Sequence, residues 1–294
     1  MSFSPERPCA RGSHRKVPGL LRGLLDNIPW SDRVEVEESL RFAAPASGSF
    51  RVHNPNGRTR ISGEDREDIQ VTALKAARAE STAAARALLR DIRLVFTETD
   101  EGSALDIRVP RKWNRRGGAN LHIRLPRALH VAVAADNGRV DVEGIRGSVR
   151  AHSTNGSANV VDVIGDVEVA TTNAKVSCAR TRGRLSARSS NGKIEIQHHS
   201  GSVDASTSNG LIRAALDEID ERGVQLATSN GRIALDLPDE IDADIDLRVD
   251  NGSIQNERCL CHVARETHGR ISGRLGHGGA PIKLRTSNGS IAIH

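Results

Sequence analysis

Residues 205–214 read ASTSNGLIRA, and close copies of this phrase recur along the chain. The first five of the clean, regularly spaced copies place their asparagines 18 residues apart, and later intervals are longer. An earlier copy, FRVHNPNGRTRI, occupies residues 50–61, and a degenerate one, THGRIS, occupies residues 267–272. The regular copies carry Asn137, Asn155, Asn173, Asn191, Asn209, Asn230, Asn251 and Asn288.

A second mark repeats about half a period after each asparagine. It consists of Gly147, Gly165, Gly183 and Gly201, which are also 18 residues apart. Apolar residues alternate with polar ones between the two marks, as in the IEI of residues 194–196. Alternation with a period of two predicts half-buried strands. Each repeat is therefore predicted to contain two short strands and two corners.

Two folds are compatible with this pattern. Asn-Gly is a strong hairpin signal, so the repeats could form an antiparallel meander. The alternative is a mostly β fold, a single-stranded β-solenoid or β-roll with coils of about 18 residues, in which each repeat makes one full turn. We favour the solenoid because coils stacked about 4.8 Å apart bring identical corner residues into contact. A meander has no such need for one residue at every corner.

The asparagines are predicted to form a structural ladder. Stacked Asn side chains can hydrogen-bond to one another, and stacked Ser and Thr can do the same. Asn and Gly also tolerate the left-handed backbone of a tight corner. Ala174 follows Asn173 where the other copies have glycine, and alanine in a left-handed corner would cost about 1 kcal/mol.

The rest of the chain divides into two further regions. Residues 1–31 are predicted to be a flexible basic tail. Residues 32–126 are predicted to form N-terminal strands, with an exposed loop over 110–120. The stretch TALKAARAESTAAARALLRDI, residues 72–92, contains no Gly or Pro and predicts the one N-terminal helix, which caps the solenoid. The continuous solenoid repeats are predicted over residues 127–294.

Composition limits the class of protein. The chain of 294 residues has a formal net charge of +5, no Tyr and few other aromatic residues, which suits a thin core of small aliphatic side chains. Four cysteines show no disulfide framework. No secretory signal is evident, so we expect a cytoplasmic location, with LLRGLLDNIPW (residues 20–30) as an alternative peripheral membrane anchor.

The recurrent T-S-N-G-x-I corner resembles a bacterial domain family of unknown function known as "putative adhesin". The N-terminal order is also similar, with an N-x-N-G copy at 54–57 and a DIQVTALKAA strand running into a helix. The resemblance covers roughly residues 33–294. It implies a β-solenoid or β-roll that acts as a structural or interaction scaffold, and it implies no catalytic residues or cofactor.

An Arg-rich stretch is the first candidate binding site. A basic patch with one aromatic side chain can hold phosphate groups or a lipid headgroup, so we expect an anionic polymer or a membrane surface as partner. No nucleic-acid motif is present, so specific nucleic-acid binding is not expected. The candidate residues are Arg108, Arg111, Lys112, Trp113, Arg115, Arg116, Arg124 and Arg127.

A Cys/His group is a second candidate, for zinc. Cys259, Cys261 and His262 are adjacent, with His268 and His277 nearby, but their spacing is not that of a structural zinc site. We therefore predict no metal. Cys178 occupies the position that Ile196 takes in the next repeat, which predicts a buried packing role.

An acidic group is the third candidate. Asp236, Asp239, Glu240, Asp242, Asp244 and Asp246 alternate in part with apolar residues and are predicted to share an outer face. They could bind calcium or cleave a polysaccharide, but the calcium-binding nonapeptide is absent and no Tyr offers a platform for sugars. A solvated strand face is the favoured interpretation.

Three functions remain open from the sequence. The favoured one is a non-enzymatic scaffold that associates with itself or another protein, because the last repeat strand, ending at His294, is predicted to lie at an uncapped sheet edge. The alternatives are an anion-binding module at residues 108–127 and, less favoured, a carbohydrate-active enzyme. No catalytic motif supports the third.

Overall fold

The computed structural model describes residues 32–100, 102–110, 116–267 and 269–294. The predicted tail, residues 1–31, lies outside the described residues. Strands dominate this part of the chain, and one helix, α1 (Thr82–Asp91), follows the fourth strand. The strands are β1 (Asp32–Ala43), β2 (Ser49–Asn56), β3 (Thr59–Glu64), β4 (Asp68–Ala79), β5 (Arg93–Thr99), β6 (Gly102–Arg108), β7 (Arg116–Pro126), β8 (His130–Asn137), β9 (Val140–Ile145), β10 (Val149–Ser153), β11 (Ala158–Ile164), β12 (Val167–Thr171), β13 (Val176–Ser189), β14 (Ile194–Asn209), β15 (Ile212–Glu218), β16 (Val224–Asp236), β17 (Ala243–Asn256), β18 (His262–Thr267), β19 (Arg270–Leu275) and β20 (Ala280–Ile293).

The coils stack in two columns of strands. The first arm of each coil leads into the corner asparagine, and the second arm leaves it. Equivalent residues of successive coils pair in parallel, so that Val149 pairs with Val167 and Val167 with Leu185. A meander would pair consecutive strands in antiparallel fashion. The parallel register therefore confirms the predicted β-solenoid.

The stack begins earlier than predicted. β2 pairs in parallel with β8, and β3 pairs in parallel with β9, so residues 49–64 form the first coil rather than an isolated copy. The chain between this coil and β8 folds as an insertion that closes the N-terminal end of the stack. Because the insertion interrupts the 18-residue spacing, the repeat interval alone could not place this coil.

The predicted asparagine ladder is present. From Asn137 onward, each Nδ2 donates to Oδ1 of the asparagine in the neighbouring coil, for example over 2.9 Å from Asn173 to Asn155 and 3.1 Å from Asn191 to Asn173. The inward Ser and Thr that precede a corner asparagine by two residues do not bond to one another as predicted. Their hydroxyls donate to a backbone carbonyl of the adjacent coil, as Thr171 Oγ1 does to Gly156 at 3.2 Å. The ladder runs in the order Asn56, Asn137, Asn155, Asn173, Asn191, Asn209, Asn230, Asn288, Asn251.

The corner does not use a left-handed asparagine, which corrects the prediction. No corner asparagine has positive φ, and neither does Ala174. Glycine follows the other asparagines because space is lacking: a Cβ on Gly192 would lie 1.9 Å from the carbonyl oxygen of Ala174. The expected strain at Ala174 therefore does not arise.

Positive φ angles occur after the corner asparagine at Gly57, Gly252 and Gly289, and they recur near the second corner. Gly165, Gly183 and Gly201 have φ of 144°, 124° and 132°. Asp162, Arg180 and His198 form a further column with φ of 55°, 51° and 52°. The predicted glycine corner is thus present, and a stacked left-handed residue precedes it in each of these coils.

The core lies between the two arms and consists mainly of Val, Ile, Leu and Ala. Inward residues alternate with outward ones along each strand, as the sequence predicted. Cys178 is fully buried and pairs with Ile196, which confirms its packing role. Burial raises the pKa of the Cys178 thiol to about 12, so this thiol stays protonated.

Antiparallel strands close the N-terminal end. β5 pairs with β6 on the first arm, and β1, β4 and β7 pair on the second. Helix α1 contacts β1 and β4, and the rings of Phe42 and Phe96 stack with centroids 3.7 Å apart, which links β1 to β5.

The predicted helix over 72–92 and loop over 110–120 are too long. Residues up to Ala79 belong to β4, because pairing with strands on both sides outweighs the helix propensity of their alanines. The helix begins after Ser81, whose Oγ accepts the Ala84 N–H. Arg116 and the residues that follow it belong to β7, where Ala119 is buried.

The C-terminal end differs from the prediction. β20 lies between β16 and β17, so that Ile282 pairs with Val224 on one side and Ile245 on the other. The strand that ends next to His294 is therefore internal, and β17 forms the last coil. The degenerate copy at 267–272 is not a coil, because β19 pairs with β17 in antiparallel fashion. β18 pairs with the other side of β19, also in antiparallel fashion.

Candidate functional site

The predicted Arg-rich site is not assembled as one patch by its described members. Arg108 ends β6 on the first arm, whereas Arg116 and Arg124 lie eight residues apart on β7 of the second arm. Arg124 Nε lies 3.6 Å from Glu64 Oε1, and Arg127 Nε lies 3.1 Å from Asp65 Oδ1. These carboxylates offset the charge of two arginines. The remaining members, Arg111, Lys112, Trp113 and Arg115, lie outside the described residues.

The Cys/His candidate does not gain a ligand set in the described part of the chain. Cys259 and Cys261 are exposed free thiols in the loop after β17. The side chain of His262, and His268 as a whole, lie outside the described residues. In the described part of the chain, no three or more His, Cys, Asp or Glu side chains come together in a group able to hold a metal ion.

The acidic residues face outward as predicted, and three of them pair with separate arginines. Asp244 Oδ1 lies 3.2 Å from Arg274 Nε, and Arg270 binds both oxygens of Asp246. Asp236 lies on the second arm, 3.4 Å from Arg213, so it does not converge with Asp244 on the first arm. The paired carboxylates of a glycosidase are not formed by these residues.

Three other members of the acidic set do share a cavity. Asp239, Glu240 and Asp242 line a volume of about 530 Å³ near Glu257 and Cys259. Asp242 Oδ1 accepts the backbone N–H of His277 at 2.7 Å, and Arg258 Nη2 donates to the carbonyls of Pro238 and Asp239. Asp242 and Arg258 are thus engaged in hydrogen bonds to the backbone around this cavity.

The outward side of the first arm carries a basic surface that the sequence analysis missed. We call it the basic face, and its cations come from β13, the turn before β16, and β20. Arg184, Arg222, Lys283 and Arg285 are exposed and have no salt-bridge partner in the described part of the chain. The basic face consists of Arg184, Ser186, Arg188, Ser190, Ser202, Asp204, Ser206, Ser208, Arg222, Gln225, Ser229, Lys283, Arg285 and Ser287.

Few acidic groups offset these charges. Asp204 is the one acid among the residues of the basic face, and its Oδ2 lies 3.8 Å from Arg188. On the neighbouring strand β17, Asp246 is in register with Lys283, but Arg270 binds both of its oxygens. The adjacent turn is acidic, but Glu218 and Asp217 pair with Arg182 and His198 on the second arm. Asp220 accepts the backbone N–H of Arg222 at 2.9 Å. The positive charge of Arg184, Arg222 and Lys283 is therefore available to a ligand.

A cavity of about 300 Å³ lies within the basic face. Arg184, Asp204, Arg222, Gln225 and Lys283 line it together with Ser202. Ser202 is only 7% exposed, although its register with Arg184 puts it on the outward side of the sheet. Its Oγ has no hydrogen-bond partner within the described structure. Ser202 is thus a residue of the cavity lining with a buried, unsatisfied hydroxyl.

Buried hydrogen bonds hold the backbone of Ser202 in place. His199 Nε2 lies 3.2 Å from the Ser202 carbonyl oxygen, and His199 Nδ1 lies 2.8 Å from Thr181 Oγ1. Burial lowers the pKa of His199, which favours the neutral ring. Because a carbonyl oxygen only accepts, the neutral ring carries its proton on Nε2, and Nδ1 accepts from Thr181.

A second groove continues from this cavity along the same strands. Its volume is about 350 Å³, and it is lined largely by hydroxyls from neighbouring coils. Ser206 follows Asp204 as the next outward residue of β14, and Arg285 follows Lys283 on β20. The lining residues are Ser189, Ser206, Thr207, Ser208, Ala227, Thr228, Ser229, Arg285 and Ser287.

The terminal edge of β17 is the other surface with unused binding groups. Up to Arg248, β17 pairs with β20 on one side and β19 on the other. Beyond Val249 only the pairing with β20 remains in the described part of the chain. Asn251 donates to Asn288 at 3.1 Å, and no described group donates to its own Oδ1. We call residues 251–256 the terminal edge.

The parallel coils, the asparagine ladder and the closed N-terminal end define a repetitive β-solenoid protein. The chain belongs to the Toastrack family, DUF4097, whose model matches residues 50–294. The resemblance to an adhesin-like family of unknown function is thereby confirmed. No curated protein matches the sequence. No described helix is long and apolar enough to cross a membrane.

Two solved structures are similar to this chain. One is "a putative cell adhesion protein" from Clostridium sporogenes, at 10% identity and a TM-score of 0.30, with 88% of this chain and 99% of that chain covered. The other is "a putative adhesin" from Bacteroides fragilis, at 10% identity and a TM-score of 0.49, with 88% and 97% covered.

Proposed function

We propose that the protein is a non-enzymatic interaction scaffold that pairs with a second copy of itself through the terminal edge. The observation that carries the proposal is the last part of β17, residues 251–256, which has a strand partner on one side only in the described part of the chain. Unpaired backbone groups on such a strand are a template for another strand. The same groups would have to be satisfied by water in a single copy.

The composition of this edge favours pairing between identical copies. Residues 251–256 read NGSIQN and carry no charge, so two copies meet without repulsion. The edge strand β1 at the other end is different, since it carries Arg33, Glu35, Glu37, Glu38 and Arg41. Charged side chains are a common protection of sheet edges against association.

The N-terminal end cannot accept the terminal edge of another copy as a further coil. β7 occupies the second-arm position next to β3, and Asn56 Nδ2 already donates to the carbonyl of Gly117 at 3.5 Å. Two copies therefore meet terminal edge to terminal edge. This contact uses the same patch twice, so assembly stops at a dimer.

A charged residue at the edge tests the proposal. We expect Ser253→Lys to abolish dimerisation, because two lysines would face each other across the antiparallel contact. Ser290→Lys is the matched control. Ser290 pairs with Ser253 from the next strand inward, so this substitution adds the same charge away from the edge. Sedimentation velocity over a wide concentration range should show a dimer for wild type and Ser290→Lys only.

Two results would contradict the proposal. One is a wild-type protein that remains monomeric at every concentration. The other is a Ser253→Lys variant that associates as strongly as wild type while Ser290→Lys behaves identically. Because the contact is one short strand from each copy, the expected affinity is low, and the concentration range must extend to the upper micromolar region.

A further inference from the structure

We propose that the basic face is a binding site for an acidic polysaccharide, whose carboxylate or sulfate groups enter the cavity that Arg184, Lys283 and Ser202 line. This site is separate from the terminal edge. It also shares no residue with the Arg-rich stretch at 108–127. The cavity and the adjoining hydroxyl groove lie on the same four coils, so a ligand can run along the strands from one to the other.

The cations of the cavity define the charge of the ligand. Arg184, Arg222 and Lys283 line one cavity without a carboxylate partner, and Asp204 is shared with Arg188 at 3.8 Å. Arginine binds the planar oxygens of a carboxylate or sulfate with two parallel hydrogen bonds. An oxyanion is therefore the group that this lining recognises.

Ser202 gives the independent indication of a ligand. A buried hydroxyl without a hydrogen bond costs free energy that the protein recovers only when a partner arrives. Ser202 is more than nine-tenths buried and lines the cavity together with cations from separate coils. His199 holds its backbone in place, so the unsatisfied group is built into the coil and is not a flexible surface serine.

The adjoining groove defines the rest of the ligand. Serine and threonine hydroxyls both donate and accept, as the hydroxyls of a sugar do. Arg285 adds one more cation at the far side. Among the described residues, no aromatic side chain lines either volume, so these linings offer no platform for stacked nucleobases. Alternating acidic groups and hydroxyls along one chain are the properties of an acidic polysaccharide.

The test measures binding of polygalacturonate and heparin to the full chain carrying Ser253→Lys, so that pairing between copies adds no avidity. We expect Arg184→Gln/Lys283→Gln to weaken binding at least about tenfold, because two charge-assisted contacts are lost. The control Arg60→Gln/Arg232→Gln removes the same charge from exposed second-arm positions and should change affinity less than about twofold.

Ser202→Ala separates a ligand contact from a structural role. We expect it to weaken binding by a few-fold while leaving the melting temperature equal to or above that of the parent, since the hydroxyl has no partner to lose. A lower melting temperature would show that the hydroxyl is a structural group and would overturn its role as a contact.

Further outcomes would overturn the proposal as a whole. One is equal loss of binding in the two double variants, which would reduce the effect to net charge. A second is absence of binding to both polysaccharides. A third is that a single-stranded oligonucleotide or phosphatidylserine vesicles bind more tightly than the polysaccharides, through Arg184 and Lys283. Binding to neutral dextran that equals binding to polygalacturonate would exclude recognition of an oxyanion.

Discussion

The residue that follows each corner asparagine lies against the carbonyl group of the adjacent coil. A Cβ would approach that oxygen to 1.8 Å at Gly156 and 2.2 Å at Gly210. Close approach, and not positive φ, is therefore the reason for glycine at these two corners. Gly252 and Gly289 combine close approach with positive φ, of 147° and 153°. The repeated Asn-Gly could be recognised from the sequence. Close approach and a left-handed backbone both predict glycine, however, and only the structure distinguishes these two explanations.

Substitution at one corner tests this explanation. We expect Gly192→Ala to lower the free energy of unfolding by about 3 kcal/mol, because the coils must separate to admit the methyl group. Ala174→Gly is the control at the neighbouring corner and should cost less than about 1 kcal/mol. Urea denaturation followed by circular dichroism measures both, and equal effects would refute the close-approach explanation.

Pairing between elements decides the conformation where local propensity is ambiguous. Residues 72–79 are rich in alanine and favour a helix, yet they form β4 between β1 and β7. The alternation of buried Ile69, Val71 and Ala73 was an available signal for a strand. The helix propensity of the following residues obscured it, and Ser81 marks the true helix start.

The asparagine ladder is the element that links all coils at one edge. Asn191 is internal, and its amide bonds to Asn173 at 3.1 Å and to Asn209 at 2.9 Å, whereas Asn251 at the end bonds to Asn288 only. At about 1 kcal/mol for each hydrogen bond, Asn191→Ala should destabilise the protein about twice as much as Asn251→Ala. Thermal and urea unfolding of the two variants measure this ratio. Equal stabilities would show that the ladder contributes nothing beyond the strands.

The order of the coils determines which surfaces exist in the whole molecule. The two-strand repeat, its period and its apolar core could be predicted from the sequence, because stacking forces equivalent residues into register. The insertion of β20 between β16 and β17 could not, since the phrases at Asn230, Asn251 and Asn288 are nearly the same. One sequence difference marks the Asn251 repeat as the last coil. Val249 replaces the inward Ser or Thr of the other late repeats.

The binding surfaces follow from this crossover. Lys283 lies beside Gln225 because β20 pairs with β16, so the basic face joins residues that are about a hundred positions apart in the chain. No motif connects Arg184 with Lys283 in the sequence, and Ser202 has the same appearance as the serines that face solvent. The predicted C-terminal edge moved to β17 for the same reason. Sequence periodicity therefore predicts the fold, while the sites depend on the order in which coils stack.

Hydrogen–deuterium exchange of wild type and Ser253→Lys, at low and high concentration, tests the central claim most directly. β20 should exchange slowly under all conditions because it is paired on both sides, and the amides of the terminal edge should exchange quickly in dilute protein. These edge amides should become protected at high concentration in wild type only. Fast exchange throughout β20, or an edge that stays unprotected in concentrated wild type, would contradict the account.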